Sequence, residues 1–113
     1  MLDKLEAIDS RLQFQHEVLQ ADKPSLAMFY ALWCPHCRSL APIMNRLAEE
    51  YKDDVKFVKV DIDDRPELSE QFGVEAVPTV ILFQYGQMVE QWLGEQHERT
   101  FADALDALLA GQR

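Results

Sequence analysis

The spacing of apolar residues changes along the chain, and each change marks a different element. Leu26 to Ala31 is an unbroken apolar run, too short for a helix and bounded by turn residues, which predicts a strand buried on both sheet faces. After it, Cys37, Leu40, Ala41, Met44, Leu47, Ala48 and Tyr51 recur at helical spacing. Arg38, Asn45, Arg46, Glu49 and Lys52 fill the other positions, so this stretch predicts an amphipathic helix lying on a sheet. Pro42 falls inside that helix, where its missing donor and its ring predict a kink. Val55 to Asp61 reads as a strand, and Pro66 to Phe72 as a short helix with proline at its start and Gly73 at its end. Thr79 to Phe83 and Met88 to Leu93 read as strands of an antiparallel hairpin joined through Gln84-Tyr85-Gly86-Gln87. Phe101, Leu105 and Leu108 mark a final amphipathic helix. The opening is less regular: Leu2, Leu5 and Ile8 lead to a short helix around Leu12, Val18 and Leu19, which Asp22-Lys23-Pro24 breaks. Alternating strands and helices that end in a hairpin and a helix predict one α/β domain over residues 1–113. Its mixed central sheet is expected to carry helices on both faces.

Composition narrows the partners. At 113 residues and 48% hydrophobic, the chain can bury one continuous core. Its formal net charge of −9 opposes docking on a phosphate backbone or an anionic lipid surface, so nucleic acid and membrane are not expected partners. Charged residues interrupt every apolar stretch between Met1 and Ser10, and no run approaches the ~18 apolar residues of a membrane span. The cytoplasm is the expected location, although a leader removed beforehand would leave no trace. His16 and His97 have no ligand constellation around them, and Met44 and Met88 read as core, so no metal site is expected. Asp61, Asp63 and Asp64 read as a solvated acidic run, with Asp61 a candidate neighbour of Lys59.

The chemistry rests on the only two cysteines, Cys34 and Cys37. As a brace the pair would contribute roughly 2 kcal/mol, against about 4.7 for a hundred-residue loop, so a redox role is the better reading than a structural one or half of a shared zinc site. Cys34 follows a buried strand and opens a helix, the place where open α/β sheets carry their chemistry. Pro35 suits the first helical position, which puts Cys34 at the N-cap. The N–H groups of His36 and Cys37 and the helix dipole there favour a thiolate, marking Cys34 as the nucleophile. Cys37 lies one turn further on the apolar stripe, where burial keeps it protonated, and reads as the resolving thiol. His36 adds a donor and, when protonated, a positive charge that stabilises the reduced form and makes the pair more oxidising.

The segment Phe29-Tyr30-Ala31-Leu32-Trp33-Cys34-Pro35-His36-Cys37-Arg38-Ser39-Leu40-Ala41-Pro42 resembles the active-site region of the thioredoxin family. Val77-Pro78-Thr79 resembles that family's cis-proline loop, Phe83 with Gly86 its hairpin, Gly94 its glycine after the last strand, and Lys59 to Asp61 its central strand. The resemblance covers nearly the whole chain and thins out before Asp22. It implies a thioredoxin fold and dithiol–disulfide exchange with protein substrates: Cys34 forms the mixed disulfide, Cys37 releases the product, and the peptide before Pro78 is cis. It further implies that the Val77 backbone pairs with an extended substrate segment and that Trp33, Val77, Pro78 and Gly94 border the docking surface.

Two departures from the family pattern stand out. Pro35-His36 replaces the usual Gly-Pro and resembles the dipeptide of DsbA, an oxidising relative. Met28 occupies the position where thioredoxins bury an Asp that handles protons for the resolving cysteine, and its absence is expected to slow resolution of the mixed disulfide. Lys59, the usual neighbour of that Asp, must then reach solvent, find another carboxylate or accept burial as a neutral amine. Three functions follow. The first is a disulfide reductase recharged by a flavin-dependent, thioredoxin-reductase-like donor, monomeric and without a tightly held cofactor. The second is an oxidase or isomerase resembling DsbA, and the third a redox-inactive binding or chaperone module.

Overall fold

The computed structural model describes residues 1–111. Its sheet contains β1 (Glu6–Ala7), β2 (Ser25–Tyr30), β3 (Lys56–Asp61), β4 (Thr79–Gln84) and β5 (Gln87–Leu93) in the order β1-β3-β2-β4-β5. The first three strands run parallel to one another, whereas β4 is antiparallel to β2 and β5 to β4. The helices are α1 (Arg11–Phe14), continued by a π-helical turn over Gln15–Leu19, then α2 (Pro35–Glu50), α3 (Pro66–Gln71) and α4 (Glu98–Ala110). This is the mixed α/β sheet that the alternation of elements predicts.

Side-chain alternation along β2 divides the core in two. Leu26 and Met28 pack with Cys37, Leu40, Met44 and Leu47 of α2 and with Phe101 and Leu105 of α4. Ala27 and Phe29 point the other way, into Phe14, Val18 and Leu68. Phe14, Phe72 and Phe83 meet there with ring centroids 5.0–5.5 Å apart. With both faces covered, β2 can be continuously apolar, and the chain leaves its carboxyl end directly at Cys34.

The hairpin turn has φ of 53° at Tyr85 and 76° at Gly86, the left-handed pair whose twist matches that of the flanking strands. Helix α2 runs without a break through Pro42. Tyr51 donates to the Asp106 carboxylate at 2.6 Å, and Arg46 donates to Glu98 at 2.7 Å, so both fasten α2 to α4.

Two features go beyond the sequence reading, and one reading, Met88 as core, needs correction. The chain before α1 contributes a two-residue strand, β1, that no periodicity could announce; Leu2, Leu5 and Ile8 are buried around it. In the first helical stretch Phe14 and Val18 enter the core, while Leu12 is 65% exposed. Met88 is not core: it is 44% exposed on β5. β5 is the outer strand of the sheet, and of its side chains Trp92 alone is buried. Trp92 packs edge-on against Phe101 with centroids 5.1 Å apart. No helix among the described residues is long and apolar enough to cross a membrane.

Candidate active site

Cys34 caps α2. Its backbone is extended (φ −87°, ψ 111°), Pro35 follows in the first turn, and its sulfur accepts the Cys37 N–H at 3.2 Å. A short polar side chain at this position normally satisfies one orphan donor of the helix start, and here a sulfur does so. The Cys34 thiol also reaches the Val77 carbonyl, with Sγ and oxygen 3.7 Å apart. The Val77–Pro78 peptide is cis, so the reactive turn and the proline loop face each other. Gly94, at φ +80°, donates its N–H to the Pro78 carbonyl at 2.8 Å. Trp33, Cys34, Val77, Pro78 and Gly94 are thereby gathered at the carboxyl end of the sheet.

The two sulfurs have different surroundings. Both thiols are free; Cys37 is completely buried, and Cys34 is 3% exposed. Burial first, and then the hydrogen bond with Cys34, push the Cys37 thiol up to about 12, against a smaller opposing contribution from the Ala31 backbone. Tyr30 at the end of β2 is also shifted upward, by burial and then by Asp61, Asp64 and Asp9.

Around this pair, three side chains fix the turn. Trp33 is 62% exposed and donates its indole N–H to Asp63 at 2.8 Å. Arg38 donates to the Leu32 carbonyl at 2.7 Å. His36 places Nδ1 2.6 Å from a carboxylate oxygen of Glu95, the residue after Gly94. The carboxylate can only accept, so the proton lies on Nδ1. Sequence reasoning missed Glu95; its only signal was adjacency to Gly94, and nothing in a periodic pattern brings position 95 to position 36.

Below the cysteines, Met28 is fully buried and lies in register with Lys59 on the neighbouring strand. Lys59 is half-buried and finds a backbone partner in place of a carboxylate. Its ammonium donates to the Leu2 carbonyl at 3.1 Å, a backbone acceptor supplied by the opening segment. Asn45 of α2 pins that segment by donating to the Met1 carbonyl and accepting the Lys4 N–H. Asp61 turns instead to its own loop and accepts the Asp63 N–H at 2.9 Å.

Among the described residues no group of His, Cys, Asp and Glu is arranged to hold a metal. His97 occupies the N-cap position of α4 without a side-chain bond there. His16 lines a depression of about 590 Å³ together with Lys23, Lys52 and Lys56, at the amino ends of β2 and β3 and therefore away from the cysteines.

The thioredoxin family profile matches residues 6–107, which takes in every strand and all but the last turn of α4. The chain belongs to the thioredoxin family. Similar thioredoxins include thioredoxin 1 of Synechococcus elongatus, 40% identical over 82% of this chain and 87% of that protein. The thioredoxin of Alicyclobacillus acidocaldarius is 42% identical over 79% of this chain and 89% of its own length. Among solved structures, a point mutant of thioredoxin from Halobacterium salinarum superposes with a TM-score of 0.84 at 32% identity, covering 94% of this chain and 91% of that one. Family membership makes the chain a thiol:disulfide oxidoreductase of thioredoxin fold, in a family that acts on protein disulfides and is typically recharged by thioredoxin reductase. Within that family the DsbA-like reading of Pro35-His36 has no better support than the reductase reading.

Proposed function

We propose that this thioredoxin-family chain is a protein-disulfide reductase in which Cys34 is the nucleophile and Cys37 the resolving thiol. The observation that carries the assignment is the difference between the sulfurs: Cys34 caps α2 beside the proline loop, and Cys37 lies fully buried one turn below. The Cys34 thiolate attacks one sulfur of the substrate, the substrate S–S bond breaks, and the leaving sulfur takes up a proton. Cys37 then gives up its proton and attacks the Cys34 sulfur; the mixed disulfide breaks, and a Cys34–Cys37 disulfide remains. Two electrons have passed to the substrate. A reductase of the thioredoxin-reductase type returns them.

In the same proposal Trp33, Val77, Pro78 and Gly94 border the docking surface, with Val77 offering backbone pairing to an extended segment. Pro35 and His36 tune the potential. Met28 is an apolar floor in place of the family's buried carboxylate, with Lys59 beside it on β3, and Cys37 loses its proton without a carboxylate to take it. The protein works as a single-domain monomer in the cytoplasm, a reading supported by its likeness to bacterial thioredoxins. The test is insulin reduction driven by NADPH and a thioredoxin reductase. Catalytic turnover is expected; an enzyme that oxidises dithiols yet fails to turn over with this donor would overturn the reductase reading.

A further inference from the structure

The acidic balance of the chain extends to the rim of the redox centre. Asp63 is held against one flank of the reactive turn by the Trp33 indole, and Glu95 against the other by His36. The two carboxylates come from different loops, β3–α3 and β5–α4. Glu95 follows Gly94, whose N–H is bound to the Pro78 carbonyl, so the carboxylate stands beside the loop that receives substrate. It is 42% exposed there, and its partner His36 is 71% exposed, so solvent or an incoming side chain can reach both. Of the arginines on the adjoining elements, Arg46 is paired with Glu98, whereas Arg38 and Arg65 donate to the Leu32 and Asp64 backbone carbonyls.

We propose that Glu95 is a specificity-determining residue that favours polypeptide disulfides flanked by lysine or arginine. The proposal rests on Cys34 being the attacking sulfur. A cationic side chain next to the target cystine displaces His36 as the partner of Glu95, so the His36–Glu95 contact of the free enzyme is exchanged for a charge pair in the complex. An acidic flank meets both Glu95 and Asp63 and is disfavoured.

The experiment uses the reduced full chain and three synthetic peptides, each closed by one cystine and identical except that the residues flanking the attacked cysteine are lysine, glutamine or glutamate. Rates of disulfide reduction are read by stopped-flow tryptophan fluorescence, and each comparison is a ratio on the same enzyme, which removes any change in intrinsic sulfur reactivity. The lysine peptide is expected to react roughly tenfold faster than the glutamate peptide at low ionic strength, with the preference largely lost in about 0.5 M sodium chloride. Glu95→Gln should lower the ratio to about threefold, and Glu95→Lys should abolish or invert it. Equal rates on the wild type, or a ratio that neither substitution changes, would overturn the proposal. Failure to reduce even the glutamine peptide would instead overturn the assignment of Cys34 on which it rests.

Discussion

The rim and the floor of the redox site are built by opposite means, although one helical turn joins them. At the rim, Trp33, His36 and Arg38 are exposed side chains, each tethered by one polar contact to a loop. At the floor, Met28, Cys37 and Leu40 are completely buried, and the one cation nearby, Lys59, is satisfied by a backbone carbonyl. The rim can be remodelled by an arriving substrate at little cost, because an exposed polar contact or ion pair is worth at most about 1 kcal/mol. The floor cannot. A charge created there is buried and lies against the Cys34 sulfur, and both push the Cys37 thiol up to about 12. In the proposed mechanism, division of labour between two identical thiols comes from where one helical turn places them.

Removing the rim sulfur has the largest effect. Cys34→Ser should abolish insulin reduction, whereas Cys37→Ser should leave the first attack intact and accumulate a mixed disulfide visible by intact mass. If Cys37→Ser also failed to capture substrate, the two roles would be reversed or shared. Putting a carboxylate into the floor comes next. Met28→Asp is expected to lower stability by about 1–3 kcal/mol in urea titration, because it buries a polar group where a thioether packs. It is expected to accelerate resolution of the mixed disulfide severalfold; unchanged or slower resolution would remove the floor from the account of rate.

A pH titration of stability sharpens the contrast without mutation. The Cys37 thiol ionises near 9.0 in the unfolded chain and near 12 in the folded one. Between those values the unfolded state has lost the proton and the native state retains it, so stability present below pH 9 declines as pH rises. One such group contributes at most about 1.4 kcal/mol per pH unit. Cys37→Ala should flatten that decline in the reduced protein; an identical slope would assign it to other groups, such as Tyr30, which is shifted in the same direction. The smallest effect is expected at His36. Paired with Glu95 and exposed, it should shift the reduction potential by no more than about 20 mV when changed to Gln, since 30 mV corresponds to about 1.4 kcal/mol. A much larger fall would mean that the rim, not the floor, sets the redox poise.

What could be read from the chain follows the range of the interactions. Cys34, Pro35 and Cys37 constrain one another within a single turn, and β2, α2 and the hairpin carry periods long enough to recognise, so their positions and burial were legible. The two-residue β1 has no period, and its reason for existing is a free edge of β3. Lys59 found a backbone acceptor, which has no side-chain signature. The His36–Glu95 contact joins positions far apart in sequence through the β5–α4 loop, and only the folded sheet brings them together. Met88 is apolar, which suits a core, but its exposure follows from its place on the outer strand β5, which only the folded sheet shows.

The central claim is the inequality of the two thiols, and competitive alkylation measures it most directly. Fully reduced protein is treated with limiting iodoacetamide at neutral pH and digested, and the label on each cysteine is quantified by mass spectrometry. The account predicts at least about tenfold faster labelling of Cys34, since the thiolate is the reactive species and Cys37 is held protonated. Equal labelling, or faster labelling of Cys37, would contradict it.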